Sequence, residues 1–244
     1  MKILKTILND CRHLLFLDLE GTQFSHEIIS IGAVLVDCDN SYKPVGKPKN
    51  FKCYVKATSE LGDVVSAMTG ITEDLLEKEG MSFYESMVKL NAFLGDRSTH
   101  LKVLTYGNQD AHMLTCSFRY EANKSPFLKS FVGYLTRNNV DVGTFFSRYV
   151  RGKKNELVSL THMREFFSIP PAGEAHDPLV DSLDLYHVYQ AFTSDKKIIE
   201  DSYKKLLKNS NIIPQPIKQV IVNLLDGMNV TPADLDKILD IYFE

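Results

Sequence analysis

The stretch Phe16-Leu17-Asp18-Leu19-Glu20-Gly21-Thr22 closes an apolar run, Leu14–Leu19, with two acids. The run is short and continuous and predicts a buried strand. On a strand, residues two apart project to the same face, so Asp18 and Glu20 point together. Two carboxylates side by side repel each other unless a proton or a cation lies between them. Hard cations such as Mg²⁺ and Mn²⁺ prefer such oxygen ligands. A solvated strand end carries Asp and Glu as well, and the pair alone does not choose between the two readings.

Outward from this strand, Ile28–Val36 (IISIGAVLV) is rich in β-branched residues and predicts a second strand. Residues 37–50 hold two Pro and a Gly and read as a loop. Phe51–Lys56 alternates and predicts a third strand, so the three neighbours form an antiparallel meander. Helical patterns follow at 60–67, 72–79 and 82–95, then a strand at Leu101–Tyr106, a helix over 109–121, and a short strand near 139–142. Further helical stretches fall at 143–151, 159–167 and 178–193, and residues 1–11 read as a short amphipathic helix. Together these predict an α/β, three-layer domain over residues 1–194 with a mixed, five-stranded sheet. Residues 195–209, 214–226 and 231–242 read as short amphipathic helices, with Pro214, Pro216 and Pro232 at starts, where Pro is tolerated. Residues 195–244 are therefore read as a C-terminal helical appendage without chemistry of its own, packing on the core or on a partner.

The 244 residues are 44% apolar and 24% charged, which excludes wholesale disorder. The net charge of -3 excludes binding to nucleic acid by bulk charge alone; a local patch or metal ions would be needed. Cys11, Cys38, Cys53 and Cys116 form no CxxC pair, so neither a zinc ribbon nor a disulfide framework is expected, and a reducing cytoplasm is. Asn9, Asp10 and Arg12 interrupt the first apolar run, which argues against a signal peptide, and no stretch reaches the roughly 18 apolar residues of a membrane span. No P-loop, G-x-G-x-x-G or G-x-S-x-G is present.

A third acid, Asp110, follows the strand Leu101–Tyr106 through Gly107-Asn108-Gln109 and falls in the first turn of the next helix. Sites in open α/β sheets gather where strands end and helices begin, although an acid there also complements the helix dipole. The sequence Gly173-Glu174-Ala175-His176-Asp177-Pro178-Leu179-Val180-Asp181-Ser182 places Asp177 as an N-cap, Pro178 first in a helix, and Asp181 one turn in. His176 then lies on the preceding loop, free to approach whatever Asp181 binds. An imidazole beside a metal-bound water is a natural general base. Asp177 and Asp184 are rivals of Asp181 for a metal. Residues 119–155 carry Arg119, Lys124, Lys129, Arg137, Arg148, Arg151, Lys153 and Lys154 against Glu121 and Asp141, interleaved with Tyr120, Phe127, Phe131, Tyr134 and Tyr149. That composition suits a single strand of nucleic acid and equally a solvated helical face over core aromatics. Gly21 and Thr22 would let a terminal nucleotide approach the backbone. His13, His26, His100, His112, His162 and His187 lack a partner motif and are left unassigned.

The ordered set D-x-E, a distant Asp after a strand, and H-x-x-x-x-D opening a late helix resembles the DEDDh-type 3′→5′ exonucleases, the ribonuclease H-like family of the DNA polymerase proofreading subunit and oligoribonuclease. Met68-Thr69-Gly70-Ile71-Thr72 is similar to the family's L-T-G-I-T segment, and Ser159-Leu160 through Phe167, Gly173 and His176 to its approach to the His. The resemblance covers residues 14–193. Gly21 stands where Thr is frequent and Ser182 where Ala is usual. The resemblance implies a ribonuclease H-like fold in which Asp18, Glu20, Asp110 and Asp181 hold two divalent ions, Mg²⁺ or Mn²⁺, and His176 takes a proton from the attacking water. It implies cleavage at the 3′ end of single-stranded RNA or DNA with release of nucleoside 5′-monophosphates. Gly21, Thr22, Met68, Thr69 and Gly70 would line the terminal-nucleotide pocket, and Arg151, Lys153 and Lys154 would meet the strand. The competing expectation is a catalytically silent nucleic-acid-binding or scaffold protein on the same fold, whose C-terminal helices serve a protein partner or self-association.

Overall fold

A computed structural model describes residues 2–152 and 156–243. The chain forms two compact units, one of Met1–Thr144 with Ser159–Ser194, the other of Phe145–Val158 with Asp195–Glu244. The second unit's main part thus starts at the boundary read from sequence, and the segment Phe145–Val158 joins it from within the expected exonuclease domain.

In the first unit, a helical turn α1 (Lys5–Leu8) precedes strands β1 (His13–Gly21), β2 (Ile28–Cys38) and β3 (Pro44–Tyr54). Helices α2 (Asp63–Thr69), α3 (Glu73–Glu79) and α4 (Phe83–Leu94) lead to β4 (Leu101–Thr105), α5 (Gln109–Tyr120), α6 (Pro126–Arg137) and β5 (Asn139–Asp141). After α7 (Val142–Phe146) the unit resumes with α8 (Leu160–Phe166) and α9 (Pro178–Ser194). The sheet order is β3-β2-β1-β4-β5. β1–β2 and β2–β3 are antiparallel, whereas β1–β4 and β4–β5 are parallel. This is the mixed five-stranded sheet of a ribonuclease H-like fold.

Alternation along β1 assigns the two faces. Leu15, Leu17 and Leu19 enter a core with Phe83, Met87 and Leu90 of α4, Leu114 of α5, and Leu128, Phe131 and Leu135 of α6. Phe16 turns the other way and meets Tyr186 and Tyr189 of α9 edge-on, with ring centroids 5.5 and 5.3 Å apart. Asp18 and Glu20 share the Phe16 face.

Two expectations need correction. β3 begins at Pro44, inside the stretch read as a loop. It is an edge strand, and an edge has unpaired positions that tolerate Pro. Helix α6 occupies residues read only as a basic, aromatic zone; Ser125 caps it by accepting from the Leu128 N–H, and Pro126 opens it. Its Phe127 and Phe131 stack at 5.7 Å, Phe131 is buried, and Phe127 and Tyr134 pack on the same core, so these aromatics hold the fold together.

The contact that matters most for the site lies between β2 and α9. Gly32 pairs with Asp18 across the sheet. A Cβ at Gly32 would run into the Pro178 carbonyl and the Leu179 nitrogen. Glycine therefore lets the start of α9 lie directly on β2. Ser182, the departure from the family's Ala, donates to the Gly32 carbonyl at 2.9 Å and ties the same crossing. Gly32→Ala is expected to displace the start of α9, lower stability by about 1–3 kcal/mol as overpacking does, and impair any turnover that depends on the place of Asp181. Denaturant unfolding and turnover measured together test this, and an unchanged pair of values would remove the close crossing as a requirement.

The second unit contains α10 (Lys196–Asn209), α11 (Gln215–Leu225) and α12 (Pro232–Phe243). Tyr149 and Tyr203 contact each other within it at 5.5 Å, and α12 buries no residue. Among the described residues, no helix is long and apolar enough to cross a membrane.

Candidate active site

The first unit brings the acids together from three directions. Asp18 and Glu20 come from the end of β1, where a register shift follows Glu20. Asp110 sits in the first turn of α5, is nearly buried, and accepts the Leu19 amide at 2.9 Å. Its helix is aimed by the turn before it, where Asp141 accepts the Gly107 N–H at 2.9 Å. Asp181 lies in the first turn of α9 and accepts the His176 N–H at 3.1 Å. His176 has a φ of 65°, a left-handed backbone just before the helix. Glu20, His176 and Asp181 each offer a ligand atom within 4.8 Å of the others.

The electrostatics follow from this crowding. Burial pushes the Asp18 carboxyl well above its usual range, and Asp110, Asp181 and Glu20 push it further. Glu20 rises to about 7 through burial and then through Asp181 and Asp110. Asp110 also rises to about 7, chiefly through burial, and burial raises Asp181. Four carboxylates that form no ion pair with a lysine or arginine among the described residues are a donor set that fits hard divalent cations.

Glu20 has a measurable consequence. Its folded value, about 7, stands above the ordinary 4.5, so the native state holds a proton that the unfolded chain gives up. Stability without metal then falls as pH rises through that window. In chelator, Glu20→Gln should equal the parent below pH 4.5 and exceed it above pH 7. The gain should be about 1–2 kcal/mol, discounted because water reaches part of the side chain. Denaturant midpoints at pH 4.5 and 8 read the difference, and parallel behaviour of the two proteins at both values would contradict the crowding.

The two rivals of Asp181 are engaged in structure. Asp177 accepts the Leu179 N–H at 3.0 Å and pairs with Lys52 at 2.6 Å. Asp184 is buried, pairs with Arg164 at 2.9 Å and accepts the Ala172 N–H at 2.9 Å. Asp184 thereby anchors the loop that carries His176.

The expected nucleotide contacts fare unevenly. Thr22 is buried; its hydroxyl bonds to Ser25 at 2.6 Å and accepts the Glu27 N–H at 3.0 Å, and its own N–H donates to the Glu27 carbonyl. It shapes a turn and offers no free hydroxyl. A Cβ on Gly21 would meet the Met113 sulfur at 3.1 Å, so the close neighbour there is α5. Met68, Thr69 and Gly70 form the end of α2: the Thr69 hydroxyl donates to the Val65 carbonyl at 2.8 Å, and Gly70 is the left-handed cap. Met68 is exposed. Arg151 belongs to the second unit, and Lys153 and Lys154 lie outside the described residues.

Sequence reasoning passed over three residues. Phe24, two beyond Thr22, is 79% exposed, an unusual place for a phenyl ring. Glu27 is buried and accepts from Ser25, from the Thr58 N–H and hydroxyl, and from the Ser59 N–H, binding the turn after β1 to the segment before α2. Gly32 was legible as a glycine inside a β-branched run, which signals a close backbone approach.

A mixed sheet with paired acids at the end of its central strand and a His before a late helix defines a nuclease of the ribonuclease H-like class. The family model described as Exonuclease matches residues 15–189, and the chain belongs to that family. No curated protein matches it. Among solved structures, the cell-death related nuclease CRN-4 superposes with a TM-score of 0.59 at 20% identity, over 74% of this chain and 63% of that one. The nuclease domain of 3'hExo, a DEDDh family member bound to rAMP, gives 0.60 at 19%, over 77% and 94%. Exonuclease I of E. coli with a dT13 oligonucleotide gives 0.55 at 16%, over 86% and 45%. The chain thus spans less than two thirds of CRN-4 and less than half of Exonuclease I.

Proposed function

We propose that the protein is a metal-dependent 3′→5′ exonuclease that removes nucleoside 5′-monophosphates from the ends of single-stranded RNA or DNA. The observation that carries this reading is the convergence of Asp18, Glu20, Asp110 and Asp181, with pKa values raised by burial and mutual repulsion, beside His176. These four carboxylates would hold two Mg²⁺ or Mn²⁺ ions, which supply activation of water and charge neutralisation at the scissile phosphate.

The chain's own residues do the rest. His176 accepts the proton of the attacking water, and its backbone bond to Asp181 keeps the imidazole at the carboxylates. Leu19's amide fixes Asp110 against β1, so the third acid keeps its place before any cation arrives. Exposed Phe24 offers a face for a terminal base, since stacking on an aromatic ring needs no particular base. Met68 adds apolar surface, with Thr69 and Gly70 shaping its turn, while the backbone at Gly21 and Thr22 is where the terminal nucleotide approaches. Arg151, Lys153 and Lys154 are cations of the kind that bind backbone phosphates.

The test is a 5′-labelled single strand, once RNA and once DNA, incubated with Mn²⁺ or with chelator. A Mn²⁺-dependent ladder shortening from the 3′ end is expected, and the faster strand names the substrate. Absence of shortening with both, from protein shown to be folded, would sink the reading and favour a silent nucleic-acid-binding or scaffold protein.

A further inference from the structure

At the opposite end of β1 from the acids, the first unit has a cavity of about 340 Å³ lined by Lys2, Lys5, Asp10, Arg12, Asn40 and Tyr42 among others. Arg12 stands eight residues before Glu20 along the strand, roughly 26 Å at about 3.3 Å per residue. The cavity therefore shares no side chain with the candidate active site.

Its cationic wall is built by a helical turn. Leu4 and Leu8, four residues apart, are fully buried and pin the segment Lys2–Leu8 to the core. Lys2 and Lys5, one turn apart, consequently fall together on the outer side. Arg12 faces them and is oriented by a bond from its Nη1 to the Asn40 side-chain oxygen at 3.0 Å. None of Lys2, Lys5 and Arg12 has a carboxylate partner among the described residues. Asp39, next to Asn40 in sequence, accepts the Ser41 and Lys43 amides at 2.7 and 3.0 Å. The charged residues that line the cavity are thus Lys2, Lys5 and Arg12 against Asp10.

The opposite wall is fixed as well. Tyr42 has a left-handed backbone, with a φ of 63°, and its carbonyl accepts the buried Tyr189 hydroxyl at 2.7 Å. The turn between β2 and β3 is thus tied to α9, and the cavity does not depend on a ligand to hold its shape. A preformed pocket near the lower end of the roughly 300–1,000 Å³ range of small-molecule sites, with guanidinium and ammonium groups that have no carboxylate partner among the described residues, matches a compact anion. A guanidinium fork and two lysines are the groups that recognise phosphate.

We infer that this cavity is a second, non-catalytic site for a small phosphate-bearing molecule of nucleoside-monophosphate size. Lys2, Lys5 and Arg12 hold the phosphate, and the Asn40–Tyr42 wall bounds the remainder. The inference stands without the nuclease reading, because no group of the acidic site takes part.

Calorimetric titration of the full chain in chelator, with AMP and with inorganic phosphate, tests it at low and at moderate salt. AMP is expected to bind at one site and to weaken as salt rises. Arg12→Gln and Lys5→Gln should each weaken binding by about tenfold, the effect of losing one charge-assisted contact. Glu20→Gln should leave binding unchanged, and Lys5→Gln should leave strand hydrolysis unchanged. Equal affinity for inorganic phosphate would support the site and assign recognition to the phosphate alone. No binding of either probe overturns the inference. So does binding that survives the Lys5→Gln, Arg12→Gln double variant or is lost with Glu20→Gln. A response to a single-stranded oligonucleotide but to neither small probe also overturns it, in favour of a nucleic-acid track.

Discussion

Asp18→Asn is expected to lower metal-dependent hydrolysis by at least about 10³-fold, the upper scale for losing one preorganised electrostatic contact, while the protein stays folded. Asp18 sits where all the repulsion meets: burial first, then Asp110, Asp181 and Glu20, raise its carboxyl. The neutral amide cannot supply the charge that draws a cation into this position. It also removes one of four mutually repelling groups. The variant in chelator should therefore unfold at or above the parent's temperature, and the rise in unfolding temperature that Mn²⁺ gives the parent should shrink or vanish. Loss of activity with an intact fold and a lost metal response is a signature that a damaged fold cannot imitate. Unchanged turnover would remove Asp18 from the site.

His176→Ala should cut turnover by about 10²–10⁴, the usual scale for a general base, and differ from Asp18→Asn in every other readout. The four carboxylates remain, so most of the Mn²⁺-dependent stabilisation should persist. The loss should fall on kcat more than on KM, and added imidazole should restore part of it. His176 lies within 4.8 Å of ligand atoms on Glu20 and Asp181, a geometry that also suits a ligand. Thermal unfolding separates the roles: a metal response that disappears with the imidazole would make His176 a ligand and not the base.

Much of this site was legible because its signals are short-range. Period-two geometry placed Asp18 and Glu20 on one face, and the Asp177-Pro178 helix start placed Asp181 and His176 a turn apart. What linked them was not legible. The Leu19–Asp110 bond joins residues 91 apart, and the Ser182–Gly32 bond residues 150 apart. No local pattern encodes either. The resemblance alone chose Asp181 over Asp177 and Asp184, and the partners that engage those two, Lys52 and Arg164, lie in other elements. The engagement of the Thr22 hydroxyl was hidden for the same reason, because the turn that holds it is not drawn by the sequence. Helix α6 and the early start of β3 had local signals, Ser125-Pro126 and an edge position, which the density of charge in one and of proline in the other concealed.

The bond from the Leu19 amide to Asp110 also bears on how the enzyme is made. Synthesis releases a chain from its N-terminus onward, and the four acids are spread from residue 18 to residue 181. Asp18 and Glu20 emerge before Asp110 and Asp181, and they remain a bare acidic strand end until α5 and then α9 arrive. On the proposed assignment, a growing polypeptide lacks its fourth acid until α9 has emerged. The site is therefore complete only once α9, which carries Asp181, has joined the acids of β1 and α5.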